Sequence, residues 1–389
     1  MASGSGDPQQ QRWPWWPLLP LYPYGRRRTL VRELVAGQVW SLEQLQGVYY
    51  VAVPIRMTVL KLRRGLLLYA PVAPTAEVRQ ALQRLEQQHG PVVTIVLPSS
   101  SGLEHKLPVP AMARTFPGAE VWVTPKQWCF PVPLPLSWLG FATSRTKVLF
   151  EQGLPHEDEL AWVPLGPLNL GLGTFMEAAC LHRSSGTLLV TDALVGLSAQ
   201  PPAVFELDPT PLLFHGRERG SEPIAESPGL RQRGWKRLAL FASYLRPASL
   251  QVPPLRQVLG DALAPGVRNR RSHFGLYPFR WPAGWESEFD QLLQQQVAGL
   301  QIAPVLERLV FPRSRQALIS WIRQLASLEG LQCLVSAHYD APLRCQGQDL
   351  EALATALERR PWASNGSSWQ LLASIDQWLL KLGVVPQQP

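Results

Sequence analysis

Residues 92–105 read VVTIVLPSSSGLEH, an apolar run followed by a polar loop. The run Val92–Leu97 has the length of a buried strand, and the loop that begins at Pro98 ends it. Upstream, apolar residues recur at helical spacing and predict a helix over 76–88. Three short β-rich runs precede that helix, at residues 48–53, 57–62 and 66–69. This β-β-β-α-β order predicts an α/β protein in which helices cover a sheet.

A second group of strands and helices follows. Two strand-like runs, 177–182 and 187–191, flank a turn that ends at Gly186, and a further strand is predicted over 331–336. Helices are predicted at residues 286–300, 314–328, 348–359 and 368–382. Residues 201–285 are rich in Pro, Gly and Arg, with one basic helix candidate over 235–245. We interpret them as a long insertion.

The composition indicates a large folded core and no membrane span. Of the 389 residues, 46% are hydrophobic, which excludes disorder for most of the chain. Apolar stretches such as 13–24 are interrupted by proline and fall short of the roughly 18 to 20 residues that a spanning helix needs. The N-terminus has no basic residue before Arg12, so no secretory signal is expected. The four cysteines form no Cys-x-x-Cys pair, which predicts buried thiols in a reducing, intracellular compartment.

The net charge of +8 comes from 37 Lys and Arg against 29 Asp and Glu. The excess is concentrated at residues 26–28, 231–237 and 268–271. Such clusters favour anionic surfaces, including a membrane surface. They do not form one stripe interleaved with aromatic residues, so nucleic acid is disfavoured as a partner.

The candidate ligands for a metal ion follow predicted strands. Glu104 and His105 stand in the loop after the strand Val92–Leu97, Asp192 ends the second strand of the hairpin, and His338 follows the late strand. Loops at the carboxyl ends of strands converge on the functional crevice of an α/β sheet. Taken singly, a Glu-His pair is typical of a surface or a cap, and an Asp at a strand end commonly bonds turn amides. Together, two imidazoles and two carboxylates suit one zinc, iron or manganese ion.

This order of residues resembles the metallo-β-lactamase superfamily. That superfamily has a His-x-His-x-Asp-His run, a further His, then an Asp at a hairpin end and a His after a late strand. With His105 at the last position of the run, the other residues fall at Ser100 for the first His, Gly102 for the second His and Glu104 for the Asp. The further His falls near Gly173, and Asp192 and His338 take the two remaining positions. The resemblance therefore implies a degenerate site that has lost one half of its two-metal centre and kept the other.

Glu177 is a further candidate ligand. If His182 pairs with Thr187 in the hairpin, Glu177 lies opposite Asp192. Its side chain would then add a carboxylate to the metal site.

A closer resemblance covers nearly the whole chain. It is carried by the phrases PLYPYG (20–25), VPIRMTV (53–59), YAPVAPT (69–75), SGLEHK (101–106), LPLSWLG (134–140) and GLYPFRW (275–281). They are similar to an uncharacterised family of cyanobacteria and plastids that is named only as a domain of unknown function. The resemblance brings no known reaction. The missing signal and the cysteine pattern predict location in the cytoplasm, or in the plastid stroma for plastid relatives, with association at a membrane surface as the alternative.

The expected architecture is a metallo-β-lactamase-like αββα sandwich over residues 48–342, with the insertion at 201–285. Residues 1–47 form a polar tail and a Pro- and Trp-rich strap, extended over 13–24 and packed through side chains at Trp15, Trp16, Leu19 and Tyr22. Residues 343–389 form a helical extension.

Two functions remain open. The first is a mononuclear metalloprotein with hydrolase activity, in which two-metal hydrolysis of phosphoesters is expected to be weak or absent. The second is a non-enzymatic binding or assembly protein that retains the metallo-β-lactamase-like fold and binds a protein partner or an anionic membrane surface.

Overall fold

The computed structural model of the protein describes residues 21–128, 132–171, 173–360 and 367–387. Eight strands form a first sheet, in which β2 pairs with β3 and the remaining order is β1-β3-β4-β5-β6-β7-β8. These strands are β1 (Leu21–Tyr22), β2 (Leu30–Val35), β3 (Val39–Val48), β4 (Val51–Leu62), β5 (Gly65–Tyr69), β6 (Val92–Leu97), β7 (Glu120–Val123) and β8 (Thr146–Val148). The strands from β1 to β5 pair antiparallel, and β5 to β8 run parallel to one another.

A second sheet of five strands has the order β15-β14-β11-β10-β9. The strands are β9 (Leu160–Asn169), β10 (Thr174–His182), β11 (Thr187–Val190), β14 (Cys333–Ser336) and β15 (Leu343–Arg344). A separate two-stranded ladder joins β12 (Leu194–Val195) to β13 (Gln301–Ile302). Because β11 and β14 are parallel neighbours, their carboxyl ends lie side by side at one edge of this sheet.

The helices are α1 (Ala76–His89), α2 (Leu103–Lys106), α3 (Val109–Thr115), α4 (Thr210–Gly216), α5 (Pro228–Tyr244), α6 (Leu255–Asp261), α7 (Glu286–Gln294), α8 (Pro304–Leu309), α9 (Arg315–Ala326), α10 (Gly347–Arg359) and α11 (Gln370–Lys381). Short 3-10 turns lie at Leu136–Leu139, Thr143–Arg145, Ala203–Glu206, Arg270–Gly275, Phe311–Arg313 and Ser367–Trp369. Among the described residues, no helix combines the length and the apolar character that a bilayer crossing requires.

Side-chain alternation divides the molecule into four layers. On β5, Leu66 and Leu68 pack with α1 and α3 on the outer face, whereas Leu67 and Tyr69 point the other way, into the core between the sheets. The second sheet contributes Cys180, Leu189 and Val335 to that inner core. Its opposite face packs against α9 and α10, through residues that include Leu318, Trp321, Leu350 and Leu353. The predicted αββα sandwich is confirmed.

A further apolar cluster closes one end of the sandwich. Tyr22 and Tyr50 of the first sheet region belong to the same cluster as Trp235 and Phe241 of α5, so part of the region interpreted as an insertion packs against the first sheet. The helix predicted over 235–245 begins earlier, at Pro228, because Ser227 caps it by accepting a hydrogen bond from the Leu230 amide.

The first sheet begins before the β-rich runs that were predicted from residue 48. β2 and β3 belong to it, and β3 is paired with β4 along its whole length. Of the predicted strap, Trp15, Trp16 and Leu19 lie outside the described residues, whereas Tyr22 is buried. The helix predicted over 286–300 ends at Gln294.

Candidate metal centre

The loop after β6 carries Glu104 and His105 on the short helix α2. Gly102 precedes that helix with φ +69°, a conformation that residues with a Cβ atom rarely adopt. His105 is buried, and its Nδ1 donates a hydrogen bond to the carbonyl oxygen of Pro71 at 3.1 Å. This leaves Nε2 as the acceptor nitrogen of a neutral ring, and Nε2 is buried with no hydrogen-bond partner among the described residues.

His338 lies just beyond the end of β14. Its Nδ1 donates to the carbonyl oxygen of Pro54 on β4, at 3.0 Å. Its Nε2 is 3.1 Å from Oδ1 of Asp192 and 3.7 Å from Oε1 of Glu104. The first sheet therefore fixes the orientation of a ring that the second sheet supplies.

Asp192 follows β11 at the neighbouring strand end. While Oδ1 contacts His338, Oδ2 accepts hydrogen bonds from the hydroxyls of Ser99 and Ser101, each at 3.0 Å. These serines belong to the loop after β6, so Asp192 links that loop to the His338 ring.

Glu177 lies beneath Asp192. The hairpin pairs His182 with Thr187, which is the register that the sequence analysis assumed. The Glu177 carboxylate accepts hydrogen bonds from three successive backbone amides, those of Thr191 (2.6 Å), Asp192 (3.0 Å) and Ala193 (2.9 Å). Both of its oxygens are thus engaged in holding the turn that carries Asp192.

The structure brings four of the sequence-predicted residues together. One ligand atom each from Glu104, His105 and His338 lies within 4.8 Å of the other two, and Asp192 joins this group through its contact with His338. The rings of His105 and His338 are 5.9 Å apart, centroid to centroid. Three strand ends from two sheets therefore deliver the four side chains to one place.

Burial lowers the pKa of both His105 and His338, whereas the nearby carboxylates raise it, and the balance differs between the two rings. Burial lowers the pKa of His105 below its ordinary value, and the nearby carboxylates do not reverse this. Burial would also lower the pKa of His338, but the hydrogen bond to Asp192 and the charges of Asp192 and Glu104 raise it to about 9. His105 is therefore a neutral imidazole near neutral pH, while His338 holds a proton as long as nothing replaces it.

The surroundings of Asp192 and Glu177 also shift the pKa values of these two carboxyl groups in opposite directions. Burial would raise the pKa of Asp192, but the hydrogen bond and charge of His338 lower it to about 2. Burial and the charge of Asp192 together raise the pKa of Glu177 to about 7. Asp192 is the fully ionised member of the pair.

These donors fit a single metal ion. A metal-binding imidazole must offer an unprotonated nitrogen while its other nitrogen donates to a fixed acceptor, and His105 meets both conditions. His338 and Glu104 add a nitrogen and an oxygen within the distances given above, which is a mixed set that zinc, iron and manganese accept.

Ser100, at one of the positions where the resemblance implied a lost histidine, is held by hydrogen bonds. The hydroxyl of Ser100 donates to the Thr174 carbonyl oxygen at 3.2 Å and accepts from the Met176 amide at 2.9 Å. The buried ammonium of Lys106 donates to the Ser100 carbonyl oxygen at 2.9 Å. A cation and satisfied polar groups thus occupy this side of the centre.

A buried ion pair that was not predicted from the sequence supports His338. Arg56 on β4 donates through Nε to Glu43 at 3.1 Å, and both side chains are 1% exposed. Its two other nitrogens donate to the carbonyl oxygens of Ser336 and Tyr339, on either side of His338. The available signal was Arg56 alone, which stands between Ile55 and Met57 in β4, because a buried charge needs a partner. Glu43 gave no such signal, since β3 contains several other polar residues.

Several solved structures are similar to this chain, with low sequence identity and low TM-scores. A metallo-beta-lactamase from Pontibacter korlensis is 10% identical, with a TM-score of 0.36, over 86% of this chain and 100% of that one. A mutant flavo di-iron protein from Thermotoga maritima is 8% identical, with a TM-score of 0.42, over 86% of this chain and 64% of that one. A metallo beta lactamase from Hirschia baltica is 10% identical, with a TM-score of 0.32, over 45% and 77%.

No curated protein matches the chain. One family model does, over residues 36–355, and its description is "Domain of unknown function (DUF4336)". Because that match spans most of the 389 residues, the chain belongs to this family.

Proposed function

We propose that this protein binds one divalent metal ion, zinc, iron or manganese, and acts as a mononuclear metal-dependent hydrolase. Glu104, His105 and His338 would hold the ion, with Asp192 as a fourth ligand or as the residue that orients His338. The observation that carries the proposal is the buried Nε2 of His105, which lacks a hydrogen-bond partner among the described residues and lies within 4.8 Å of ligand atoms from Glu104 and His338. An acceptor nitrogen left in this state costs free energy unless it gains a partner.

A bound ion would supply Lewis-acid chemistry, polarising a substrate carbonyl or lowering the pKa of water. Asp192 keeps the His338 ring in one orientation, and Glu177 fixes the turn that presents Asp192. Glu177 therefore contributes to the site mainly through backbone amides, as a positioning residue. Because Ser100 takes part in backbone hydrogen bonds and Gly102 has no side chain, we expect no second ion and little two-metal phosphoester hydrolysis.

Elemental analysis tests this proposal. Wild-type protein should carry close to one equivalent of metal per chain, and the His105→Ala/His338→Ala variant should carry a trace. His89→Ala is the matched control, because His89 is at the end of α1 beside Trp40 and does not belong to the ligand group. Equal metal content in the wild type and the double variant would refute the metal site.

A second candidate function has its own observation in the region 245–285. Four apolar side chains on and beside α6 are largely exposed: Val252 (63%), Leu255 (71%), Leu259 (51%) and Leu263 (70%). The same region carries six arginines and a single acidic residue, Asp261. An apolar stripe among arginines matches an anionic membrane surface, where leucines enter the acyl boundary and arginines meet headgroups. The protein would then associate with a membrane from the cytoplasm or, in plastid relatives, from the stroma.

Vesicle sedimentation tests this second candidate. Wild-type protein should sediment with vesicles of phosphatidylcholine and phosphatidylglycerol, less with phosphatidylcholine alone, and less at high salt. The Leu255→Gln/Leu259→Gln/Leu263→Gln variant should remain in solution, whereas Leu382→Gln, at another exposed leucine, should behave as the wild type. If wild-type protein does not sediment with anionic vesicles, this function is excluded.

A further inference from the structure

A cavity of about 330 Å³ opens directly beside the candidate metal centre. One wall is formed by the N-terminal segment and the end of β3, including Leu21, Arg27 and Gln46. The other wall is formed by α2 and the turn after it, including Glu104 and Leu107. Glu104 belongs to both the cavity and the ligand group, so a molecule in this cavity would contact the metal centre.

Arg27 is the cationic residue of this cavity. Its neighbours in the chain, Arg26 and Arg28, both pair with Glu77, at 3.4 and 2.9 Å. Arg27 has no ion pair and no hydrogen bond within the described ranges, although burial is sufficient to lower the pKa of its guanidinium. A partly desolvated cation without an anion is unfavourable, and an anionic ligand would relieve that cost.

The rest of the lining is mainly apolar. Leu103 and Leu107 are exposed beside Glu104, and Leu21 is exposed on the opposite wall. Exposed leucines that line a concave site favour the apolar part of a ligand, while a few polar groups fix its orientation. The cavity thus combines one guanidinium, a mainly apolar lining and a carboxylate that belongs to the candidate metal centre.

We propose that this cavity is the substrate pocket and that it selects small anionic amphiphiles. A carboxylate or a phosphate monoester of the ligand pairs with Arg27, its apolar body lies against Leu103 and Leu107, and its far end reaches Glu104. This substrate class rests on the proposed metal centre for its chemistry, but ligand binding at Arg27 does not require the metal.

Titration calorimetry with three eight-carbon probes tests the pocket. Octanoate and octyl phosphate carry the two anionic headgroups, and octan-1-ol is the neutral comparator. Metal-free wild-type protein should bind at least one anionic probe about tenfold or more tightly than the alcohol, because a charge-assisted hydrogen bond to arginine is lost with the alcohol. The preferred anionic probe then distinguishes carboxylate from phosphate substrates.

Variants locate the binding site. Arg27→Gln should weaken the preferred anionic probe about tenfold and leave octan-1-ol unchanged, and Arg27→Lys should restore part of the affinity. Arg26→Gln is the matched control, since Arg26 pairs with Glu77 and does not line this cavity. Leu107→Gln should weaken binding of all three probes, and it should leave the fold intact because the Leu107 side chain is exposed.

The outcomes separate this inference from the proposed function. No measurable binding of either anionic probe, or equal affinity in wild type and Arg27→Gln, overturns the pocket. Metal content is measured on the same preparations before the metal is removed. A protein that binds an anionic probe through Arg27 but holds no metal supports the pocket and refutes the metal centre. A protein that holds metal but binds neither anionic probe through Arg27 refutes the pocket alone.

Discussion

At the scale of single residues, the centre depends on groups that never touch the ligand cluster. Arg56 joins the carbonyl oxygens on either side of His338 to the carboxylate of Glu43. Burial alone would raise the pKa of Glu43, but Arg56 and Arg32 outweigh burial and hold that pKa below its usual value. The ionised carboxylate thus stabilises the fold at neutral pH.

We predict that Glu43→Gln destabilises the protein by about 3 to 5 kcal/mol at pH 7, because it leaves the buried Arg56 guanidinium without its anion. The sign of the pH dependence follows from a folded pKa below the unfolded one. The contribution of Glu43 is complete above about pH 4.5 and is lost as the pH falls through the folded pKa. Urea unfolding at several pH values should therefore show a gap between wild type and variant that narrows in acid.

Glu120→Gln is the control for that experiment. Glu120 pairs with Lys147 at 2.8 Å, but both side chains are more than 40% exposed. Its loss should cost less than about 1 kcal/mol. A Glu43→Gln variant no less stable than Glu120→Gln would contradict the role assigned to the buried pair.

The ligand candidates were predictable from sequence because each follows an apolar run of strand length, and strand ends converge in this class of fold. Glu43 and Arg56 were not. Glu43 and Arg56 alternate with apolar residues along β3 and β4, which is also the pattern of side chains that face solvent. They are buried because the second sheet packs on the face of the first sheet that carries them. The single-sequence pattern contains no information about that packing.

At the scale of elements, the turn at Gly102 positions Glu104. A Cβ atom built on Gly102 would lie 2.6 Å from Oε1 of Glu104, so the carboxylate folds back over a residue that has no side chain. The resemblance placed a lost histidine at this position. In this chain the glycine therefore shapes the loop that carries α2.

We predict that Gly102→Ala lowers the free energy of unfolding by about 1 to 3 kcal/mol, since φ +69° is strained for any residue with a Cβ atom. It should also displace the Glu104 carboxylate and reduce metal content. Gly118→Ala serves as control, because a Cβ atom there meets nothing within 4 Å. Unchanged stability in Gly102→Ala would show that the loop adopts another conformation.

Strand β3 was not predicted from the sequence, and its composition explains why. β3 buries Ser41, Glu43 and Gln44 among apolar residues, so its sequence lacks the apolar run by which Val92–Leu97 was predicted. Some of its buried polar side chains form hydrogen bonds to other elements, as when Nε2 of Gln44 donates to the Ala73 carbonyl oxygen at 2.9 Å. Periodicity identifies strands whose faces differ in polarity, and it fails where polar groups are buried in networks.

At the scale of the whole molecule, neither sheet holds the centre alone. The loop after β6 is bonded to β10, through Ser100 N to Met176 O at 2.9 Å and Ala178 N to Pro98 O at 2.7 Å. Tyr69 of the first sheet also donates to the Ala178 carbonyl oxygen at 2.9 Å. The geometry of the ligand group thus depends on how the two sheets pack.

Leu189 tests this dependence, because its side chain is fully buried between the sheets on β11, three residues before Asp192. Leu189→Ala should destabilise the protein by about 2 to 5 kcal/mol, through the lost apolar contacts and the cavity that remains. Leu382→Ala, at an exposed leucine, should change stability by less than about 0.5 kcal/mol. Both are measured by urea unfolding of the metal-free protein.

The same pair of variants separates packing from ligation. If the inner core sets the distance between the strand ends, Leu189→Ala should bind metal more weakly than Leu382→Ala even where both proteins are fully folded, because small displacements of donors reduce affinity. Competition with a chelator of known affinity measures this difference. Equal metal affinity in the two variants, despite a clear loss of stability in Leu189→Ala, would mean that the hydrogen bonds of Glu177, Pro54 and Arg56 suffice to hold the ligands, and that the inner core contributes to stability alone.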